Sequence, residues 1–183
     1  MNFTKKETGI EGLFTIEPKV FGDSRGYFFE SYKSSDFKDL GIQGEIVQSN
    51  QSRSSKAVVR GLHFQIGEFA QAKLVRCLSG KIYDVAVDVR KDSKTYGQHF
   101  GIELSDENKL MLYIPKGFAH GFSVLSESAD VFYDVFGGQY NKESEGGIRF
   151  DDPDLKINWQ VEETVISSKD IELTFFKDLK SSF

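Results

Sequence analysis

KIYDVAVDV, residues 81–89, is the stretch whose reading decides the fold. Alternation puts Tyr83, Val85, Val87 and Val89 on one face and Ile82, Asp84, Ala86 and Asp88 on the other. A period of two belongs to a strand, and the flanking LSGK and RKDSKTYG are turn formers. Working outward, further strands are predicted in LFTIEP (13–18), YFFESY (27–32), KLVRCL (73–78), HFGIEL (99–104), LMLYIP (110–115) and ADVFYDVF (129–136). FGDSRG, LSDEN and FGGQYN break the chain between them. Seventeen glycines, seventeen phenylalanines and only three prolines fit β structure with many turns. Short strands at this spacing predict an all-β fold: a β-sandwich, barrel or jelly roll. Helical periodicity is weak, and SSDFKDLG (34–41) predicts one short helix opened by a serine cap. No linker interrupts the chain, so a single domain over residues 1–183 is expected, with ESEGGIRFDDPDLKINW (143–159) as a structured excursion.

A chain of 183 residues can bury a core without disulfides or a structural metal. Its single cysteine, Cys77, cannot close an intramolecular disulfide, so nothing asks for an oxidising compartment. MNFTKKETGIEGLF lacks the apolar run of a secretion signal, and no stretch approaches the roughly 20 apolar residues of a membrane helix. A cytoplasmic protein with no membrane partner is expected. The formal net charge of −5 argues against a nucleic-acid partner, which needs a basic field. Phosphate on a small molecule stays open, because local arginines can bind it on an acidic protein.

The chain has three histidines. His99 follows a Tyr-Gly turn and reads as structural. His63 lies in VVRGLHFQ (58–65) beside Arg60, and His120 in IPKGFAHGF. Three roles are open to His63: a hydrogen-bonded core residue, a metal ligand, or a base. PKGFAH (115–120) resembles the second cupin motif, in which Pro and Gly shape a turn before a histidine. The region where the first motif's HxH would stand, GLHFQIGEFAQAK, holds one histidine and no HxH. His63, His120 and Glu68 make a thin ligand set, so a cupin-type jelly-roll β-sandwich with a few short helices, no metal and no cofactor is predicted. As a base, His63 would need a partner for the enolate oxygen, which Lys73 in AQAKLVRC could be. Tyr133 in DVFYDVF could supply a proton, although spacing alone groups it with Val131 and Val135 as a packed core tyrosine.

VFGDSRGYFFES, VVRGLHFQ, AQAKLVRCLSGKIYDVAVDVRKDSKTYG, LSDENK, IPKGFAHGF, GGIRFDDPDLKINW and ISSKD occur in this order along the chain. Through them the sequence resembles the dTDP-4-dehydrorhamnose 3,5-epimerase family almost from end to end. The resemblance implies a homodimeric jelly roll acting, without metal or cofactor, on a dTDP-linked 4-keto-6-deoxyhexose. C3 and C5 of dTDP-4-dehydro-6-deoxy-D-glucose would be inverted through an enolate on the way to dTDP-L-rhamnose and cell-surface polysaccharide such as lipopolysaccharide.

The resemblance also implies site roles. His63 would be the base, Asp170 of ISSKD its orienting carboxylate, Lys73 the oxyanion partner and Tyr133 the acid. Arg60, Gln48, Asn50, His120, Glu145 and Lys169 would bind substrate or support the site. Arg25 and Glu30 would hold the nucleotide across the dimer, with Phe21 and a second aromatic stacking on thymine. After Tyr133 the family commonly continues with Lys and, further on, Asp and two aromatics. Here the run is YDVFGGQY, with Asp134 in the lysine position and one extra residue. Tyr140 is the candidate stacking aromatic, with Gln139 in its place in an ungapped register. Activity on one carbon only, movement of the ketone, or substrate binding without catalysis are the alternatives.

Overall fold

The computed structural model describes residues 1–180 and 183. Thirteen strands form: β1 Phe3–Glu7, β2 Phe14–Pro18, β3 Phe21–Asp23, β4 Gly26–Phe28, β5 Ile46–Ser55, β6 Val59–Gln65, β7 Gln71–Ser79, β8 Lys81–Asp88, β9 His99–Ser105, β10 Met111–Ile114, β11 Phe118–Val124, β12 Ser128–Gly137 and β13 Glu145–Gly147. Among the described residues helices are confined to α1, Ser34–Asp39, α2, Ser168–Ile171, and three short 3-10 turns. KIYDVAVDV is the interior strand β8, between β11 and β9. The predicted strands of the later chain are all present, and so is the helix at 34–41. Its N-cap is Lys33, with no side-chain cap bond, so the serine does not cap it as expected. YFFESY yields only the short β4; beyond it Phe29 and Tyr32 turn away to pack against α1.

The strands build two antiparallel sheets, β1-β2-β10-β7-β12-β5 and β13-β6-β11-β8-β9, with β3-β4 a separate hairpin. Neighbours in each sheet are mostly distant in sequence, as a jelly-roll sandwich of cupin type requires. Three apolar clusters follow from this layering. Between the sheets, Val75, Leu112 and Val131 meet Ile82, Leu104 and Phe122. On the outer face of the six-stranded sheet, Phe14, Met111 and Phe136 are covered by Phe37 of α1 and by Leu40. On the outer face of the five-stranded sheet, Val85, Val87 and Leu62 are covered by the C-terminal segment through Ile148, Leu155 and Trp159. Both faces of β8 are therefore buried, which is why Asp84 and Asp88 are wholly inaccessible.

The same C-terminal segment is strapped across β6. Val59 donates its amide to Val165, Leu62 to Ile148, and Val58 and Val165 form an isolated parallel bridge. The strap ends in α2, whose N-cap Ser167 accepts the Asp170 amide on its side chain. Asp170 is thereby laid against β6, far from it in sequence.

Candidate functional site

VVRGLHFQ gains its chemistry from an irregularity. Across β6 and β11, His63 pairs with His120 and Arg60 with Phe122, so β6 holds an extra residue between the two pairs. A β-bulge of this kind re-aims side chains. Arg60 and His63, which strict alternation would send to opposite faces, both line one cavity. Gly61 makes the bulge possible: its φ is +125°, and a Cβ there would lie 2.5 Å from the Gly121 Cα. Gly121 answers in kind, since its own Cβ would meet the Arg60 carbonyl at 2.6 Å.

The cavity measures about 480 Å³ and opens between the two sheets. On the side of the five-stranded sheet, His63 Nε2 lies 2.8 Å from Asp170 Oδ1. Burial pushes the Asp170 carboxyl up, but the His63 hydrogen bond and the Gly61 amide more than offset it, and the net shift is downward. His63 Nδ1 stands 3.3 Å from Glu145 Oε1 without hydrogen-bond geometry, and it has no hydrogen-bond partner among the described residues. The Lys169 ammonium donates to both oxygens of Glu145, at 2.8 and 2.7 Å, and the Tyr140 hydroxyl donates to Oε2 at 3.0 Å.

Deeper in, the buried His120 bonds Asp84 Oδ1 through Nε2 at 2.8 Å. The second oxygen of Asp84 has no partner.

The six-stranded sheet supplies the opposite wall. Lys73 on β7 brings an ammonium with no hydrogen bond among the described residues, 5.5 Å from the Tyr133 ring centroid. Desolvation lowers its pKa to about 8 against the upward pull of Asp84 and Glu145. Tyr133 on β12 is raised above its ordinary value by burial, against its hydrogen bond with Asn50 and the charge of Arg60. Arg60 uses Nε on Ser54 at 2.9 Å, and no carboxylate pairs with its guanidinium among the described residues.

Of the fourteen residues singled out above, His63, Asp170, Lys73, Tyr133, Arg60, Asn50, His120, Tyr140, Glu145 and Lys169 line this one cavity. Gln48 stands just behind, donating to Asn50 Oδ1 at 3.0 Å and accepting from the Tyr140 amide at 3.0 Å. Tyr140 rather than Gln139 is the side chain turned to the cavity in the altered segment. Phe21 and Arg25 lie elsewhere, on the exposed β3-β4 hairpin, where Arg25 pairs with Asp23 at 2.6 Å. Glu30 accepts from Asn2 at 2.7 Å.

Sequence reasoning passed over Gln65, Gln71 and Asp84. Gln71 donates to the Gly138 carbonyl and Gln65 accepts from the Asn141 amide, so with Gln48 they tie the 138–141 segment to the cavity rim. KIYDVAVDV held a signal for Asp84, because an acidic residue inside a run of apolar residues needs a partner once the strand is buried.

Among the described residues, no group of three His, Cys, Asp or Glu side chains could hold a metal ion. Glu68 sits exposed on the 3-10 turn Gly67–Phe69, away from the two histidines of the cavity. No helix of the described residues is long and apolar enough to cross a membrane.

Comparison with known proteins gives a consistent picture. The family profile described as dTDP-4-dehydrorhamnose 3,5-epimerase matches residues 7–178. A protein of that name from Shigella flexneri is 48% identical over 179 residues, covering 97% of each chain. The crystal structure of the Elizabethkingia anophelis dTDP-4-dehydrorhamnose 3,5-epimerase superimposes with a TM-score of 0.92 at 50% identity, over 97% of this chain and 98% of that one. A Legionella pneumophila 3,5-epimerase, solved in complex with dTDP-4-keto-L-rhamnose, gives a TM-score of 0.92 at 45% identity, over 97% and 94%. With the cavity and these relatives together, the chain belongs to the dTDP-4-dehydrorhamnose 3,5-epimerase family.

Proposed function

We propose that this protein inverts C3 and C5 of dTDP-4-dehydro-6-deoxy-D-glucose, giving dTDP-4-dehydro-L-rhamnose for dTDP-L-rhamnose synthesis. One observation carries the reading: a His63–Asp170 pair at 2.8 Å on one sheet faces Tyr133 and Lys73 on the other across a single cavity. Epimerisation next to a ketone removes a proton from one face of a carbon and returns one to the opposite face. A base and an acid on opposing walls suit that stereochemistry.

In this reading His63 is the base, acting through Nδ1, because Asp170 occupies Nε2 and holds the ring. Both target carbons are α to the C4 ketone, so each deprotonation places negative charge on its oxygen. The Lys73 ammonium and His120 stabilise that charge in a site largely shielded from water. Tyr133, oriented by Asn50, reprotonates from the other wall, and no metal or cofactor is needed for any step. Arg60, whose guanidinium has no carboxylate partner among the described residues, binds the diphosphate, with Lys169 at the mouth. Tyr140, half-exposed at the rim, stacks on the nucleobase.

The reading extends to a homodimer. Phe21, Tyr27 and Phe28 are exposed on a hairpin with no place in this chain's own cavity. Reaching into a partner's site would cover these aromatics and bring Arg25 and Glu30 to its nucleotide.

NMR of dTDP-4-keto-6-deoxyglucose with the enzyme in deuterated water tests the reaction. Deuterium at both C3 and C5 is expected. Incorporation at one carbon would make the protein a mono-epimerase, and none at either would overturn the assignment.

A further inference from the structure

Two inversions by one imidazole raise a problem of proton balance, which rests on the reaction proposed above. Each inversion breaks a C–H bond, with the proton going to His63, and forms a new C–H bond with the proton of Tyr133. After the first, His63 is an imidazolium and Tyr133 a phenolate. Neither can act on the second carbon until the base has lost its proton and the acid has regained one.

The route out is narrow. Asp170 occupies Nε2 at 2.8 Å, in a carboxylate that is itself buried. Nδ1 is left, and Glu145 Oε1 stands 3.3 Å from it. The Glu145 side chain is 15% exposed, whereas Lys169, which grips it, is 60% exposed at the mouth. Glu145 therefore spans the distance between the base and solvent. Asp84, behind His120, is wholly buried and bonded to it, so it leads nowhere.

We propose that Glu145 is the proton-exchange residue of this site, taking the proton from the His63 imidazolium between the two inversions and releasing it to water at the cavity mouth. Its position at the end of β13, opposite Gln65 of β6, keeps the carboxylate beside the base. Burial pushes Glu145 up, but Lys169 and the Tyr140 hydroxyl outweigh it and hold the group below the ordinary carboxylate range. A carboxylate so held passes a proton on rather than keeping it. Water entering by the same mouth reprotonates the Tyr133 phenolate, so the residues return to their starting states with no net change in protons.

The test separates the two inversions. With enzyme in excess over dTDP-4-keto-6-deoxyglucose in deuterated water, NMR follows deuterium entry at each carbon. Glu145→Gln keeps a hydrogen-bond acceptor for Lys169 but cannot carry a proton. In this variant the second inversion should slow at least about tenfold more than the first, so that singly inverted sugar accumulates. Adding formate to Glu145→Ala should restore the second step. Arg60→Met, which removes a contact to the diphosphate and leaves Glu145 and its partners in place, should slow both steps by the same factor. Equal slowing of both steps in Glu145→Gln, or no rescue by formate, overturns the proposal. Absence of exchange at both carbons in the wild-type enzyme would instead overturn the reaction itself, so the two failures are distinct.

Discussion

Two histidine–aspartate pairs lie side by side in this molecule, and their differences teach more than their likeness. His63–Asp170 and His120–Asp84 have the same 2.8 Å separation through Nε2, and the two histidines are direct cross-strand partners. The His63 side chain is 26% exposed and faces the cavity, with Nδ1 unoccupied, while that of His120 is 6% exposed and its aspartate is wholly buried. An imidazole whose second nitrogen is unpaired beside a carboxylate can exchange protons. One locked to a wholly buried carboxylate has no such route for a proton. Chemistry at each pair is set by what surrounds it.

Removing each imidazole should break the comparison most sharply. His63→Ala should lower the rate of deuterium exchange by about 10⁴-fold with the smaller loss of folding stability, since the Asp170 it leaves keeps the Gly61 amide and borders the cavity. His120→Ala leaves Asp84 buried without a partner and should cost about 3–5 kcal/mol in urea unfolding. Equal loss of stability in both variants would show that the pairs are equivalent.

The next effect concerns the carboxylates' separate duties. Asp170→Asn keeps the shape but removes the charge that steadies an imidazolium at His63, and kcat should fall about 10²-fold. The variant should keep substrate affinity, measured by calorimetry with dTDP. A large loss of affinity would mean that Asp170 serves binding rather than the base.

The smallest expected effect is a pH limb. Lys73 is charged below about 8 and neutral above it, so kcat/KM should fall about tenfold per pH unit on the alkaline side. The sign follows from the role proposed for Lys73, because only an ammonium can stabilise an enolate oxygen. Lys73→Arg, whose guanidinium stays charged, should be slower but should lose this limb. An unchanged limb in Lys73→Arg would assign it to another group, Tyr133 first.

How much of this was legible in the chain depends on how local each feature is. The alternation of KIYDVAVDV and ADVFYDVF reports side-chain direction directly, and both became strands. IVQSNQSRSS did not read as a strand because β5 buries little apolar area: its side chains alternate between partly buried and exposed. Tyr133 packs beside Val131 in the core between the sheets, and the same inward face carries it to the cavity wall. For Tyr133, a core position and a site position are the same position.

The sequence by itself determined an all-β sandwich and, through long ordered motifs, the family. Alternation and turn chemistry are properties of neighbouring residues, so they survive in a string of letters. Tertiary structure alone decided that Arg60 and His63 share a face, because a bulge at Gly61 overrides the period of two. It also decided that Asp170 meets His63, 107 positions away, through a strap pinned across β6. Above all it separated the two histidine–aspartate pairs. Their local geometry is alike, but solvent access and the charges of neighbouring elements fix whether a proton can leave, and the folded chain alone sets those.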